Sequence, residues 1–427
     1  MITSSYGITA TERVLPRMAL DFTSAVLDSR VTVTRALNTG TRTNSAGAIE
    51  VINADLPRFD YDPATLTCNG LLIEETRTNG VRNNVAAGAA AGTPGTDPTN
   101  WSRYTGLSGL SSSIVGTGTE KGVEYVDIRV NGTPSGTGQY QIFFDTSTGI
   151  TAATGQAWAL SAYLKVAAGS LTNTSVAFGL DENTSGGAYV TNKVGSNFSP
   201  SSTLQRAIFT ATLTGGATVA RIWPWLRLNL TSGQAIDVTL RIGLPQAENG
   251  SFATSVIKTS GSAVTRNADQ VVMSGTNFSS WYNAVQGAIE AEALIPYAVP
   301  AAKFPRFVAI CNGTDAEAIE MFVDGASGYV RNRVRVGGVN QMVGNGATLY
   351  VPGTARKACI SYKQNDFAAA DNGTLSFTDS AGNIPTVSLM NIGFDNTTNN
   401  YFLNGWMRRI NFYTQRVTNN ETVAVTK

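Results

Sequence analysis

The feature that most constrains this chain is a repeated two-residue alternation of apolar and polar side chains. Trp158, Leu160, Ala162, Leu164 and Val166 fall on one face of an extended segment. Ala207, Phe209, Ala211 and Leu213 repeat the pattern, and so do Ile236, Val238, Leu240 and Ile242. Successive side chains of a strand point to opposite faces, so each run predicts a strand with one face in a core. Runs of this kind, separated by turn residues, predict an antiparallel sandwich. Composition agrees: Gly counts 43 and charged residues are only 14%, against about 25% in ordinary globular chains. Many short strands need Gly, Asn, Thr and Val, whereas helices need Glu, Lys and Leu. The expected class is all-β, with two antiparallel β-sandwich domains behind an extended N-terminal arm.

At 427 residues the chain is too long for one core, and two or three domains are expected. Residues 1–84 are poor in apolar side chains and read as an arm. Residues 85–100, VAAGAAAGTPGTDPTN, read as an Ala/Gly/Pro linker. Residues 101–264 and 270–427 read as the two sandwiches. Thr418-Asn419-Asn420-Glu421 has capping-box spacing and predicts one short C-terminal helix.

Several functions are excluded or disfavoured. The net charge of +1 leaves no basic field for nucleic acid. No apolar run is long enough to span a membrane, and MITSSYGITATERV has no signal-peptide core. The three cysteines, Cys68, Cys311 and Cys359, suggest neither a disulfide framework nor a zinc knuckle. The chain has no histidine, which removes Ser-His-Asp and Cys-His catalysis and the commonest metal ligand. No cofactor is expected. Asp181-Glu182-Asn183 and Asp371-Asn372-Gly373 carry oxygens that could meet a structural calcium, but read as turn chemistry.

The densest stretch is Leu56–Asn79, LPRFDYDPATLTCNGLLIEETRTN. Phe59 and Tyr61 alternate with Arg58, Asp60 and Asp62, giving one aromatic and one charged face. Asn69-Gly70 reads as a turn. The pieces Pro57-Arg58-Phe59-Asp60-Tyr61-Asp62-Pro63, Gly70-Leu71-Leu72-Ile73-Glu74-Glu75 and Arg77-Thr78-Asn79 resemble a signature of tailed-bacteriophage virion proteins: head fibre, head spike or tail-fibre proteins with carbohydrate-binding modules. The segments LDFTS, LDSR and VTVTR near the N-terminus resemble the same family. Gly243–Ser255 resembles the last strand of its carbohydrate-binding jelly roll, and the order of pieces in 270–427 is similar to a concanavalin A-like domain. The resemblance implies a structural virion component, made in the bacterial cytoplasm. It would attach to other virion proteins through residues 1–84, associate as a homo-oligomer (a trimer, as in phage fibres), and adsorb to host-surface glycans. Two alternatives stay open: a tailspike glycan depolymerase and a capsid decoration protein without a ligand.

Three constellations bear on that choice. In Arg221-Ile222-Trp223-Pro224-Trp225-Leu226-Arg227-Leu228-Asn229-Leu230, the residues Ile222, Leu226, Leu228 and Leu230 form a core face. Arg221, Trp223, Trp225, Arg227 and Asn229 face the other way. Indoles beside guanidinium and amide groups suit a pyranose, whose apolar face stacks while its hydroxyls are hydrogen-bonded. A subunit interface or a second buried layer uses the same residue types. Pro224 predicts an edge strand or bulge. Arg331, Arg333 and Arg335 share a strand face that could meet an anionic polysaccharide, although a solvated face or a protected edge gives the same pattern. Glu290 and Glu292 share a face at a spacing compatible with glycosidase carboxylates. Laminarinase-like glycosidases carry a third acid on that strand, and here Leu294 and Ile295 follow instead. The chain is therefore read as a non-enzyme.

Overall fold

The computed structural model describes residues 15–146, 149–395 and 401–427. The readings that fall on residues 1–14, the start of the expected arm among them, lie outside the described residues. Strands dominate the described residues, the sheets are built from antiparallel ladders, and the chain divides into two compact units.

One unit comprises Met1–Thr34, Cys68–Glu75 and Asp269–Lys427. Its first sheet runs, in spatial order, Thr374–Asp379, Asp366–Asp371, Arg356–Lys363, Gln286–Leu294, Gly405–Tyr413 and Cys68–Ile73. Met18–Asp21 also pairs with Gly405–Tyr413. Its second sheet runs Thr32–Thr34, Gln270–Ser274, Leu389–Ile392, Arg306–Cys311, Ala318–Asp324, Tyr329–Val336 and Val339–Leu349. Ile289, Ala291 and Ala293 alternate on one inner face, and the paired Met273, Met390, Ile310 and Ile319 line another. All seven are fully buried. The helix Asn419–Val425 forms where expected, with a complete capping box between Thr418 and Glu421.

The other unit comprises Arg35–Thr67 and Thr76–Ala268. A five-stranded sheet (Gln205–Thr212, Ala157–Ser170, Ile236–Asn249, Val123–Gly132, Leu110–Glu120) and a six-stranded sheet (Tyr189–Val194, Ser175–Asn183, Arg221–Leu230, Gly138–Phe143, Ser102–Thr105, with Ile150–Thr151 also on Arg221–Leu230) share one core. That core contains Trp158, Leu160, Ala162, Leu164, Ile236, Val238, Leu240 and Ile242 from the alternating runs, with Phe209 packed at its margin. Burying each large aliphatic side chain is worth about 1.5–3 kcal/mol, which is why the alternation fixes the sandwich.

The boundaries differ from the sequence reading. Residues 15–84 are not a separate arm. They supply strands to both units, because short polar strands gain their burial by joining sheets built from later residues. Residues 85–100 are not a boundary either, since both flanks belong to one unit. Ala90 and Thr96 bridge, Gly92 N–H donates to Ile114 O at 2.8 Å, and the Asn83 side chain holds Ala87 and Thr99.

The signature stretch is a set of backbone fasteners. Arg58 is buried and its Nη1 donates to Thr41 O (3.0 Å) and Ser255 Oγ (2.8 Å). Asp60 accepts from Thr43 N–H at 2.6 Å. Arg58 and Asp60 of the charged side are thus buried as well as Phe59. Asp62 caps its own turn by accepting from the Ala64 and Thr65 N–H groups, which hold its carboxyl below the usual range. Asn69-Gly70 is not a turn but lies within the strand Cys68–Ile73. Gly70 is needed there: its φ is +127°, and a Cβ would sit 2.3 Å from Met407 O. Glu74 is buried, and Glu75 N–H donates to Asn404 Oδ1 at 2.8 Å. Asn79 is wholly buried. Its Oδ1 accepts from Val81 and Ala247 N–H while its Nδ2 donates to Ile257 O.

Candidate functional site: the outer face of the six-stranded sheet

Arg221–Leu230 carries the tryptophan–arginine alternation. Ile222, Leu226, Leu228 and Leu230 enter the core. Arg221, Trp223, Trp225, Arg227 and Asn229 lie on the opposite, outer face of the sheet. The strand is not at an edge. It lies between Ser175–Asn183 and Gly138–Phe143, with Pro224 opposite Leu180. The Pro224 carbonyl accepts from Phe144 N–H at 2.9 Å, so the residue keeps a backbone hydrogen bond although it has no N–H to donate.

The register assembles the rest of the face. Asn229 stands beside Gln139 and Ser175, Arg227 beside Gln141 and Ala177, Trp225 beside Phe143 and Gly179, and Trp223 beside Asp181. Tyr104 pairs opposite Gln141, and Tyr189 opposite Asn183. Both tyrosines are 60% exposed and flank the face. These neighbours were not singled out from the sequence. The alternation of Gln139, Gln141 and Phe143 against Tyr140 and Ile142 carries the signal, but cross-strand register does not show in a single strand.

The two tryptophans have different roles. Trp225 is fully buried. Its Nε1 donates to Asp181 Oδ1 at 2.7 Å, and its ring occupies the space left by Gly179, where a Cβ would come within 2.1 Å. Burial pushes the Asp181 carboxyl up to about 6 against the opposing pull of that indole N–H. Trp225 is thus part of the fold and offers no free face for stacking. Trp223 is half-buried, packs edge-to-face on Phe143 at 6.2 Å, and has a buried indole N–H without a partner among the described residues. Arg227 lies over the Trp225 ring at 5.5 Å and donates from Nη1 to Gln139 Oε1 at 2.9 Å. Asn229 Nδ2 donates to Ser175 Oγ (3.1 Å) and Asn197 Oδ1 (3.0 Å). The face is therefore an aromatic end at Trp223 and Phe143 running into a strip of amides and a guanidinium.

The other constellations, all in the first unit except Asp181–Asn183, are engaged with neighbouring side chains and backbone groups. Arg331 pairs with Asp324 (2.7 Å), Arg333 with Asp315 (2.7 Å) and Glu320 (2.5 Å), and Arg335 with Asp315. Their strand is neither an edge nor a bare cationic face. Glu290 and Glu292 are both buried. Glu290 accepts from Asn411 Nδ2 at 2.6 Å, and burial raises its carboxyl to about 7. Glu292 accepts from Arg408 Nε (2.8 Å) and Arg409 Nη1 (3.2 Å). Asp181–Asn183 is strand rather than turn. Its Glu182 accepts from the Thr214 and Gly215 N–H groups, and Asp371 pairs with Arg356. Among the described residues no group of three or more Cys, Asp and Glu could hold a metal, and no helix is long and apolar enough to cross a membrane. None of the three cysteines forms a disulfide among the described residues.

No family model matches this chain, and no curated protein matches it in sequence. Among solved structures, it is similar to the CBM40 module of the Ruminococcus gnavus IT-sialidase bound to α2,3-sialyllactose. The identity is 16% over 35% of this chain and 88% of that one, with a TM-score of 0.31. It is also similar to domain 4 of AbnA, an extracellular GH43 arabinanase of Geobacillus stearothermophilus, in complex with arabinotriose (8% identity, 38% and 73% coverage, TM-score 0.30). A third is a heptameric SAP-like pentraxin from Limulus polyphemus (12%, 34% and 70%, TM-score 0.27). Likenesses this distant assign no residue a role. The class rests on the chain's own sheets, which are those of an all-β protein with two antiparallel β-sandwich units.

Proposed function

We propose that this protein is a non-catalytic glycan-binding protein and that the outer face around Trp223 is its binding surface. The observation that supports this reading is Trp223 itself. It is a half-buried indole whose N–H has no partner among the described residues, placed at the end of a strip of Gln139, Gln141, Arg227 and Asn229. An indole edge and face next to planar donors and acceptors matches a pyranose, which offers one apolar face and a rim of hydroxyls. The strip continues over Trp223–Asn229, about 20 Å at 3.3 Å per residue, so the ligand is an oligosaccharide rather than one ring. The stacking role passes to Trp223, with Tyr104 and Tyr189 at the flanks, because Trp225 is enclosed.

The setting we propose is a tailed-phage particle, with the chain as a head-fibre, spike or tail-fibre component that associates with itself and adsorbs to host-surface glycans. The signature in Leu56–Asn79 supports it. Binding without cleavage is supported by the state of Glu290 and Glu292, each held by Asn411, Arg408 or Arg409 rather than facing an open groove.

The test is binding of host-surface polysaccharide to the full-length protein, with Trp223→Ala and Arg227→Ala as variants. Trp223→Ala should weaken binding by about tenfold or more, the usual cost of losing a stacking aromatic, in a protein that still unfolds cooperatively. Reducing ends should not appear on prolonged incubation. Undiminished binding by a folded Trp223→Ala protein would sink the proposed surface. Release of reducing ends that stops in Glu290→Gln would favour the depolymerase.

A further inference from the structure

The second unit treats the arginines of its two outer faces differently. On the five-stranded sheet they are matched with acids. Arg129 pairs with Asp237 at 2.7 Å, and Arg241 pairs with Asp127 at 2.8 Å and with Glu120 at 2.5 Å. Lys165 shares Glu120 at 2.8 Å. The fold itself supplies the counter-charge there, so little positive field is left for a partner.

The outer face of the six-stranded sheet carries two guanidinium groups, Arg221 and Arg227, on the one strand Arg221–Leu230. Arg221 is half-buried and has neither an ion pair nor a hydrogen-bond partner among the described residues. Arg227 is half-buried as well. Its Nη1 donates to a neutral amide, Gln139 Oε1, and its guanidinium lies over the Trp225 ring, with no acid paired to it among the described residues. Burial pulls its pKa below the usual guanidinium value. Asp181, the acid that the register places on this face, is buried, and its Oδ1 accepts the Trp225 indole N–H. Removing a charge from water is unfavourable unless an opposite charge meets it. Two half-buried cations therefore stand on this face without the counter-charge that the other face provides for its own.

Their placement matches the aromatic end already described. At 3.3 Å per residue, Arg221 and Arg227 are about 20 Å apart along the strand, and Trp223 lies between them. A guanidinium presents its donors in a planar fork that fits a carboxylate. A uronic acid carries a carboxylate on the ring that stacks, so a chain of such units offers an apolar ring face to the indole and carboxylates to the arginines in one ligand.

We propose that the outer face takes an acidic oligosaccharide built of uronic acid units, with carboxylates paired to Arg221 and Arg227 and a ring stacked on Trp223. The inference rests on the reading of this face as a glycan-binding surface and names the class of glycan. A neutral chain would leave both cations unmatched.

The experiment uses the full-length protein and three probes followed by calorimetry: a galacturonic acid hexamer, a hyaluronan hexasaccharide, and the fully methyl-esterified galacturonic acid hexamer, which keeps rings and hydroxyls and loses the charge. At least one acidic hexasaccharide should bind at least about tenfold more tightly than the ester. Raising NaCl from about 50 mM to about 500 mM should weaken it about threefold or more, because the Debye length shortens. Arg221→Gln and Arg227→Gln should each cost about threefold and together about tenfold, in proteins that still unfold cooperatively. Arg129→Gln removes the same charge from the other face and should change nothing. The proposal is overturned if the ester binds as tightly as both acids, if the double arginine variant keeps the preference for acid, or if Arg129→Gln weakens binding as much as Arg221→Gln, which would make the attraction diffuse. Binding of the ester that depends on Trp223 but shows no preference for acid sinks this inference and leaves the glycan surface standing. No binding of any hexasaccharide up to about 10 mM, or binding that Trp223→Ala leaves intact, sinks both.

Discussion

Asp181 and Trp225 show how a polar pair can be structural on a face that otherwise looks like a binding surface. The folded pKa of Asp181 is raised from 3.8 to about 6, chiefly by burial, with the Trp225 N–H opposing. A raised acid binds its proton more tightly when folded. Its contribution to stability is therefore fully present below about 4 and is lost as pH rises through about 6. Asp181→Asn keeps an acceptor for Trp225 and cannot titrate, so the fall in stability between pH 4 and 6 should flatten in that variant, as read by urea melts at several pH values. Trp225→Phe leaves a buried carboxyl without its donor and should cost about 1–3 kcal/mol. A Trp225→Phe protein as stable as the parent would mean the indole is not the partner of Asp181. The sequence showed that Trp225 shares a face with Trp223. It could not show which indole is reachable, because that depends on Gly179, a neighbour 46 residues away in the chain.

At the scale of elements, local chemistry was legible and pairing was not. The C-terminal helix follows from Thr418 and Glu421, since a capping box satisfies backbone donors within four residues. Thr418→Ala should cost about 1 kcal/mol, seen as a lower melting temperature, with Thr418→Ser close to the parent. The alternating runs of residues 157–249 were equally legible because period two is written in consecutive residues. Asn69-Gly70 misled because a glycine with positive φ suits a turn, whereas here it admits the backbone of Met407, which is distant in sequence. Pro224 misled in the same way, since a proline is expected at an edge whereas here its strand lies between two others. Glu290 and Glu292 make a sharper case. Their shared face was readable from spacing, but Asn411, Arg408 and Arg409 come from a strand more than a hundred residues on. Burial raises Glu290 from 4.5 to about 7, so its contribution to stability is lost as pH rises through that window. Glu290→Gln retains an acceptor for Asn411 and should be at least as stable as the parent above pH 7, by the same melts. A marked loss of stability there would show that the ionised carboxylate is what the strand requires.

At the scale of the whole chain, the two units are built from interleaved segments, and this changes what truncation should do. A thin arm could be removed with the remainder left folded. Here residues 18–21 and 68–73 pair with Gly405–Tyr413, and residues 32–34 pair with Gln270–Ser274. Within the other unit, residues 77–79 pair with Val264–Arg266, and Asn79 holds Val81, Ala247 and Ile257 together. Deleting residues 1–84 would take strands from the first unit and the Asn79 fastener from the second. It would also remove Met18, Leu20, Phe22, Leu71, Leu72, Ile73 and Val81, each at most 5% exposed. At about 1.5–3 kcal/mol for each large apolar side chain, the loss is of the same size as the 5–15 kcal/mol stability of an ordinary domain. Newly bared strand edges would also invite aggregation. The fragment 269–427 should fail for the same reason, although it contains most of the first unit's strands. Expression of both truncations, followed by gel filtration and a thermal melt, is the check: insoluble protein or the absence of a cooperative transition is expected. A soluble 85–427 protein that melts cooperatively near the parent's temperature would show that residues 15–84 are carried by the fold rather than built into it, and would restore the reading of the N-terminal stretch as a separable arm.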